Sequence, residues 1–228
     1  MILSYLKNNL ANYFTMANLA SGFFGIILVM EQDYAFAFAC IFISLLLDFF
    51  DGFIARMTKT SSEIGKDLDS LADGISFGVL PGLMAYQILP EKICYLALLI
   101  PLFSIWRLAK FNHDIRDSHY FYGLPTPANA LCISAIYFDF EKKGYSHLNP
   151  EWFELLFPVY IILSAILLVS NVKLLSNKTN FKLLAHNVFL LLIPTLSIAC
   201  VLIFGAIGLS FAVIWYVLFS IIYLKFSK

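Results

Sequence analysis

Four aspartates lie within one short stretch of the chain, at positions where their side chains could act together. Asp48 and Asp51 are three residues apart near the end of one apolar run, and Asp69 and Asp73 are four apart at the start of the next. Residues three or four apart share a helix face. The polar segment MTKTSSEIGK between the runs is short enough for an antiparallel helical hairpin, which we predict over residues 45–78. Four carboxylates would then converge at one point.

Ionised carboxylates this close repel one another unless cations lie among them. Ligation by oxygen alone favours Mg²⁺, Mn²⁺ or Ca²⁺ over zinc or copper. Because four carboxylates supply many oxygens in a small space, the pattern favours two bridged divalent ions over one. Paired ions of this kind hold the attacking and leaving oxygens of a phosphoryl displacement. A lone DxxD pair is common in unrelated helices, so the prediction depends on the whole pattern.

The residues around the aspartates fit a phosphate ligand. Gly52 follows Asp51, and a glycine inside a helix costs about 1 kcal/mol relative to alanine, so it needs a reason. Close approach of a ligand is one reason, and helix packing is the alternative. Arg56 lies one turn further on, followed by Ser62 and Gly65, and this set offers a cation, a hydroxyl and backbone donors to phosphate oxygens. The alternative for Arg56 is a charge that extends to the membrane surface.

The elements that position these residues are predicted to be membrane helices. Of the 228 residues, 61% are hydrophobic and 13% are charged, whereas ordinary soluble domains have about 25% charged residues. A span needs about 20 mostly apolar residues. Hydropathy predicts eight spans, at residues 13–30, 34–57, 66–89, 92–110, 125–140, 152–172, 183–203 and 206–225. We expect an all-α polytopic bundle in a single domain, residues 1–228, with a short interfacial helix at 1–12.

The basic residues predict the orientation of this bundle. Of the 15 lysines and arginines, 12 fall on one side when loops are assigned to alternate sides, and this bias places both termini in the cytoplasm. The aspartate-bearing helix ends then face the cytoplasm, where Mg²⁺ and water-soluble substrates are available. The net charge of zero gives no indication of nucleic-acid binding, and the cysteines and histidines are too dispersed for a zinc site.

Written as one string, the cluster reads DxxDGxxARx8GxxxDxxxD and resembles the signature of the CDP-alcohol phosphatidyltransferases. The resemblance implies that Asp48, Asp51 and Asp69 bind two divalent metals, Mg²⁺ or Mn²⁺. It implies that Asp73 both contributes to the metal site and acts as the catalytic proton acceptor. A homodimer in a prokaryotic cytoplasmic membrane is also expected from the resemblance.

The same resemblance implies a binding site for the donor, CDP-diacylglycerol. The positions that match the signature there are Gly52, Ala55, Arg56 and Gly65, with Ser62 as a loop hydroxyl. Asn18, in the run TMANLASG, resembles the first-helix asparagine of the family, which implies contact with the nucleotide. An asparagine that bonds across helices is an equal alternative for this residue.

Three further segments resemble the phosphatidylserine synthase branch of the family, namely LDSLADGISFGVLP, WRLAKFN and YGLPTPANA. They imply L-serine as the acceptor and CMP as the released product. Arg107, Lys110 and Asn112 form a cationic and amide surface at one span end, which is the kind of partner that an amino-acid carboxylate needs. Ordinary positive charge at a cytoplasmic helix end is the alternative. Leu80 and Lys110 depart from the residues usual in that branch.

Several other functions share part of this pattern. Within the family, glycerol phosphate or inositol is an alternative acceptor, and an archaeal ether lipid is an alternative donor. A divalent-cation transporter also uses membrane aspartates, but interrupted helices in repeated halves would be expected and the sequence does not have them. An intramembrane aspartyl protease needs two aspartates, which would leave the other two without a role.

Overall fold

The structure is a computed structural model that describes residues 9–58, 60, 62–113, 120–143, 150–175 and 198–226. The helices are α1 (Leu10–Met30), α2 (Tyr34–Thr58), α3 (Glu63–Asp73), α4 (Leu80–Ile88), α5 (Leu99–Asn112), α6 (Thr126–Lys143), α7 (Pro150–Val169) and α8 (Gly208–Phe226). A π-helical segment, Gly74–Val79, joins α3 to α4, and a 3₁₀ segment, Glu91–Leu98, leads into α5. Residues 198–204 are also helical, and the chain then turns at Gly205, which has a φ of +70°, through a 3₁₀ turn (Gly205–Ile207) into α8. The turn is tight, since Gly208 lies against the Cys200 carbonyl.

Within the described residues, four helical stretches are long and apolar enough to cross a membrane, namely Leu10–Met30, Tyr34–Thr58, Glu91–Asn112 and Ile198–Leu224. Large apolar side chains such as Phe23, Phe49 and Leu102 are exposed on them. Exposed apolar side chains are expected where lipid surrounds a helix. A helix can cross the lipid because it satisfies its own backbone hydrogen bonds. The protein is therefore an all-α membrane protein, as predicted.

The remaining predicted spans have different outcomes. The third, 66–89, runs through α3, the π-helical segment and α4, and the seventh, 183–203, lies largely outside the described residues. The fifth, 125–140, and the sixth, 152–172, lie largely on α6 and α7, which are not among the four stretches above. Of the predicted interfacial helix, residues 1–8 also lie outside the described part, while residues 10–12 belong to α1.

A short antiparallel pair of strands was not expected from the sequence. Strands β1 (Tyr120–Tyr122) and β2 (Lys173–Leu175) pair with Tyr122 opposite Lys173. Three-residue strands are too short to show an alternating pattern, so hydropathy does not reveal them. The pair brings the start of α6 to the end of α7. Gly123 makes this turn with a φ of +76°, and its backbone N–H donates to the Val172 carbonyl at 2.9 Å.

The core surrounds the π-helical segment and α4. Its fully buried side chains include Phe77, Leu80, Met84, Val29, Ile41 and Ile133. Helix α1 approaches this segment closely because Gly22 faces Ser76, where a Cβ would clash. Gly25 serves the same purpose one turn further, since a Cβ there would lie 2.7 Å from Leu80. This close packing places the middle of α1 beside the end of α3, where Asp73 lies.

Candidate active site

Three of the four aspartates meet between α2 and α3. Asp48 and Asp51, near the end of α2, and Asp69, on α3, each offer a carboxylate oxygen, and these three oxygens all lie within 4.8 Å of one another. Asp51 is 5% exposed, so part of this charge is withdrawn from solvent. The predicted hairpin therefore brings three carboxylates together. The spacing of Asp48 and Asp51 places them on one face of α2, and the short loop brings Asp69 on α3 next to that face.

The start of α3 is fixed by a hydrogen-bonded cap. Ser62 precedes the helix, and its Oγ accepts from the backbone N–H of Gly65 at 3.0 Å. This satisfies one of the backbone donors that every helix N-terminus leaves unpaired. A Cβ on Gly65 would lie 3.1 Å from Ser62 Oγ and 3.3 Å from Asn12 Oδ1. A glycine at this position therefore lets the α2–α3 loop lie close against α1.

Asp73, the last residue of α3, lies beside this group. It is 7% exposed, and its Oδ1 accepts from Asn18 Nδ2 at 3.0 Å. Its carboxylate interacts electrostatically with those of Asp48, Asp69 and Asp51, all of like charge. The π-helical segment begins at the next residue, and irregular turns of this type are frequent at functional sites.

Helix α1 contributes more to the site than the sequence indicated. Thr15 Oγ1 donates to Asp51 Oδ2 at 2.7 Å, and both residues are buried. The backbone carbonyl of Asn18 accepts from Ser76 Oγ at 3.0 Å and from Ser44 Oγ at 3.4 Å, which fixes this turn of α1. Thr15 is not among the residues predicted from the sequence. Asn12, Thr15 and Asn18 are spaced by three residues, and this regular polar spacing in an apolar helix is the signal that could have identified it.

Two oxygens at the site indicate that a cation fits there. Asp69 Oδ1 and Asn18 Oδ1 are buried and have no hydrogen-bond partner within the described part of the chain. A buried acceptor without a partner costs about 1–3 kcal/mol, and more when it is charged. The carboxylates and the amide supply hard oxygen ligands, the type that Mg²⁺ and Mn²⁺ prefer. The residues present therefore fit a divalent metal ion.

A cavity of about 170 Å³ opens beside the three carboxylates. Its walls come from α1, α2, α3 and the loop between α2 and α3, and they comprise Ala11, Asn12, Thr15, Asp51, Gly52, Ala55, Thr60, Ser62, Gly65, Lys66 and Asp69. Four of the residues predicted to bind the donor are among them. A Cβ on Gly52 would meet no atom within 4 Å, so this glycine faces open space. Arg56 is exposed on the last turn of α2 and does not line the cavity.

The three residues predicted to bind serine lie in different surroundings. Arg107 is 8% exposed, donates from Nη1 to Thr126 Oγ1 at 2.7 Å, and interacts electrostatically with Asp73. Lys110 Nζ donates to the Val169 carbonyl at 3.0 Å.

Asn112 Nδ2 donates to Ser70 Oγ at 2.8 Å, on α3. Of the predicted set, Arg107 therefore lies next to the acidic cluster, while Lys110 contacts the end of α7. For all three residues, contact with serine stays a prediction.

These features together define a membrane-embedded helical protein with an acidic, metal-compatible site next to an open cavity. The profile of a family described as CDP-alcohol phosphatidyltransferase matches residues 8–169. The chain is 32% identical over 219 residues to the CDP-diacylglycerol–serine O-phosphatidyltransferase of Helicobacter pylori, across 92% of this chain and 89% of the relative.

It is also 32% identical over 165 residues to the enzyme of that name from Methanocaldococcus jannaschii, across 72% of each chain. To the archaetidylserine synthase of Methanothermobacter thermautotrophicus it is 34% identical over 134 residues, across 56% of this chain and 57% of the relative. The chain belongs to the CDP-alcohol phosphatidyltransferase family, and the resemblance seen in the DxxDGxxAR string is confirmed.

Proposed function

We propose that the protein transfers the phosphatidyl group of CDP-diacylglycerol to the hydroxyl of L-serine and releases CMP. The observation that carries this proposal is the group of carboxylate oxygens from Asp48, Asp51 and Asp69, which lie within 4.8 Å of one another beside a cavity. Serine as the acceptor is supported by the relatives named above, which match this chain over most of its length.

Asp48, Asp51, Asp69 and Asp73 hold two divalent ions, Mg²⁺ or Mn²⁺, in this proposal. When bound, the ions neutralise the charge on the diphosphate and on the departing CMP. The carboxylates must be ionised to bind these ions, and their mutual repulsion is offset only when cations are present. The buried Asp69 Oδ1 supports this assignment, because it has no hydrogen-bond donor among the described residues and a metal ion would provide its missing partner.

The cavity beside the carboxylates binds the CDP end of the donor. Gly52 leaves room for the diphosphate to approach the α2 backbone, since no atom lies within 4 Å of the position a Cβ would take. Ala55 keeps the same wall small, while Ser62 and Gly65 present the α2–α3 turn to the ligand. Arg56 supplies positive charge from the last turn of α2, and Asn18 contacts the nucleotide part of CDP-diacylglycerol. The lipid tails of the donor stay in the bilayer.

The transfer is a direct in-line step. The serine hydroxyl oxygen attacks the phosphatidyl phosphorus, the bond from that phosphorus to CMP breaks, and Asp73 accepts the hydroxyl proton. Asn18 donates to Asp73 Oδ1 at 3.0 Å, which holds the carboxylate and leaves its second oxygen available for the proton. Arg107, with Lys110 and Asn112 on the same helix, forms the acceptor side of the site. Holding both substrates in line supplies much of the rate enhancement.

The arrangement in the membrane is part of the same proposal. The chain forms one domain with eight spans and both termini in the cytoplasm, and the active site faces the cytoplasm of a prokaryotic cell. The bias of 12 of the 15 lysines and arginines to one side supports this orientation. We expect a homodimer, with each copy carrying its own acidic cluster.

The test is CMP release by purified protein from CDP-diacylglycerol, with L-serine, inositol and glycerol 3-phosphate supplied in turn. Each acceptor is assayed with Mg²⁺, with Mn²⁺ and after treatment with EDTA. CMP release that requires both serine and a divalent ion is the expected result. A parallel series with an ether-linked donor distinguishes the archaetidylserine reaction. Absence of serine-dependent CMP release with either ion refutes the proposal.

A further inference from the structure

A second buried polar cluster lies where α5, α6 and α7 meet. Arg107 on α5 donates from Nη1 to Thr126 Oγ1 at 2.7 Å. Tyr160 on α7 donates from its hydroxyl to Asn129 Oδ1 at 2.8 Å. Thr126 and Asn129 are three residues apart at the start of α6, so they share one helix face. We call Arg107, Thr126, Asn129 and Tyr160 the α6 polar cluster.

Among the described residues, two buried donors of the α6 polar cluster lack an acceptor. Arg107 Nε and Asn129 Nδ2 are both buried and have no hydrogen-bond partner within the described part of the chain. Arg107 is 8% exposed and Asn129 is 0% exposed. Buried donors are almost always paired, because leaving one unpaired is costly. A guanidinium Nε and an amide nitrogen that both lack acceptors indicate an oxygen-rich anionic ligand, and a carboxylate matches the planar guanidinium.

The hydrogen bonds within the cluster leave these donors oriented for a ligand. Because Tyr160 occupies Asn129 Oδ1, the amide is held with its nitrogen available to donate. Thr126 Oγ1 accepts from Arg107, and a hydroxyl that accepts one bond still has its own proton to donate. Arg107, Thr126 and Asn129 thus each offer a donor, while Tyr160 positions the amide. Thr126 and Asn129 are both 0% exposed, so these contacts are shielded from water.

The position of the cluster identifies the ligand. Helix α5 packs against the end of α3, since a Cβ on Gly74, the residue after Asp73, would lie 3.5 Å from Ile105 Cγ1, two residues before Arg107. Arg107 also interacts electrostatically with Asp73, so the α6 polar cluster adjoins the place where the acceptor hydroxyl must lie. A ligand with a hydroxyl at Asp73 and a carboxylate at Arg107 is a small hydroxy acid. We propose that Arg107, Thr126 and Asn129 recognise the carboxylate of the acceptor and thereby select serine over alcohols without one. This inference depends on the proposed function and assigns its acceptor site.

Lys110 has a different part in this arrangement. Its Nζ donates to the Val169 carbonyl at 3.0 Å and to Asn171 Oδ1 at 3.2 Å. These bonds tie α5 to the end of α7, the helix that carries Tyr160. Lys110 is therefore a positioning residue for the α6 polar cluster, and it does not contact the carboxylate.

The experiment compares three acceptors with wild-type protein and with the variants Arg107→Gln, Thr126→Val and Asn129→Asp. The acceptors are L-serine, ethanolamine, which lacks the carboxylate, and 3-hydroxypropionate, which keeps the hydroxyl and the carboxylate but lacks the amine. The readout is the ratio of kcat/KM values between acceptors for each protein. This ratio is insensitive to partial unfolding, because inactive protein lowers all three values equally. Asn129→Asp preserves shape and places a negative charge against the carboxylate.

Wild-type protein is expected to prefer serine to ethanolamine, and each variant is expected to lower that preference by about 10- to 100-fold, the range for a hydrogen bond to a charged group. In each variant, the ratio of kcat/KM for serine to kcat/KM for 3-hydroxypropionate should stay within about threefold of the wild-type ratio, because other residues contact the amine. KM for CDP-diacylglycerol should not change. Lys92→Gln, which alters an exposed cation on the 3₁₀ segment, is the matched control and should leave every ratio unchanged. Lys110→Met should lower kcat/KM for all acceptors together.

An unchanged ratio of serine to ethanolamine in the variants that retain turnover overturns the inference, even when the wild type is a serine transferase. Thr126→Val keeps this outcome accessible if Arg107→Gln does not fold, since it removes one hydroxyl and preserves shape. A wild type that turns over another alcohol in place of serine contradicts the proposed function itself, and the two failures are thus distinguishable.

Discussion

Replacing Thr15 with valine should weaken metal binding and leave the chemistry intact. Valine has nearly the shape of threonine, so the substitution removes the hydroxyl that donates to Asp51 Oδ2 at 2.7 Å and keeps the packing of α1 against α2. Asp51 is 5% exposed, so water does not readily replace the lost donor. The hydroxyl holds Asp51 Oδ2 and so orients the carboxylate that lies close to those of Asp48 and Asp69. Loss of such a partner behind a metal ligand typically costs 10–100-fold in metal affinity.

The assay is serine-dependent CMP release titrated with Mn²⁺ or Mg²⁺. For Thr15→Val the half-saturating metal concentration should rise about 10- to 100-fold, while kcat at saturating metal stays within a few-fold of wild type. Ser21→Ala is the matched control, because Ser21 Oγ also bonds from α1 to α2, at the Cys40 carbonyl, away from the carboxylates. Its metal titration should match that of the wild type. An unchanged titration for Thr15→Val would refute the assignment of Asp51 as a metal ligand oriented by Thr15.

Three further predictions concern the acidic cluster and the cavity. Asp73→Asn should lower kcat by about 10²- to 10⁴-fold, the range for loss of a general base, while KM for CDP-diacylglycerol stays near the wild-type value; near-normal turnover would exclude Asp73 as the proton acceptor. Asp48→Asn should raise the thermal midpoint of EDTA-treated protein, because one of several repelling charges is removed. The same variant should lose most of the stabilisation that Mn²⁺ gives the wild type. Stabilisation by Mn²⁺ equal to that of the wild type would contradict a metal site at Asp48. Gly52→Ala should raise KM for CDP-diacylglycerol about tenfold and leave KM for serine unchanged, because the added methyl group would take up room in the cavity. The control is Gly74→Ala, whose Cβ would meet only Ile105 at 3.5 Å, and it should bind the donor normally.

The acidic cluster could be predicted from sequence because local rules determine it. Spacings of three and four residues fix which aspartates share a helix face, and a short polar loop brings the two helices of the hairpin together. The cap at Ser62 is a local feature too, but Ser62 was predicted only as a phosphate-binding hydroxyl. For Gly52 the sequence left ligand approach and helix packing open, because the space around a glycine depends on tertiary packing. Membrane helices were recognisable from local rules as well, since burial in lipid requires long apolar runs.

The contributions of other helices could not be predicted in this way. Lys110 and Arg107 lie three apart on one helix with the same charge, and the sequence does not tell which of them reaches Asp73. That outcome depends on where α6 and α7 pack against α5, which places Thr126 against Arg107 and the end of α7 against Lys110. The donor from Thr15 to Asp51 likewise depends on the close approach of α1. The π-helical segment has no residue pattern that distinguishes it from an α-helix.

The central claim is that the acidic cluster transfers a phosphatidyl group to serine. Its most direct measurement supplies isotopically labelled L-serine and CDP-diacylglycerol to protein reconstituted in vesicles, and follows CMP and labelled lipid together by mass spectrometry. Wild-type protein with Mn²⁺ or Mg²⁺ should form equal amounts of CMP and labelled phosphatidylserine, and neither product should form after EDTA or from Asp69→Ala. CMP release without label in the lipid, or labelled lipid formed at the wild-type rate by Asp69→Ala, would contradict the claim.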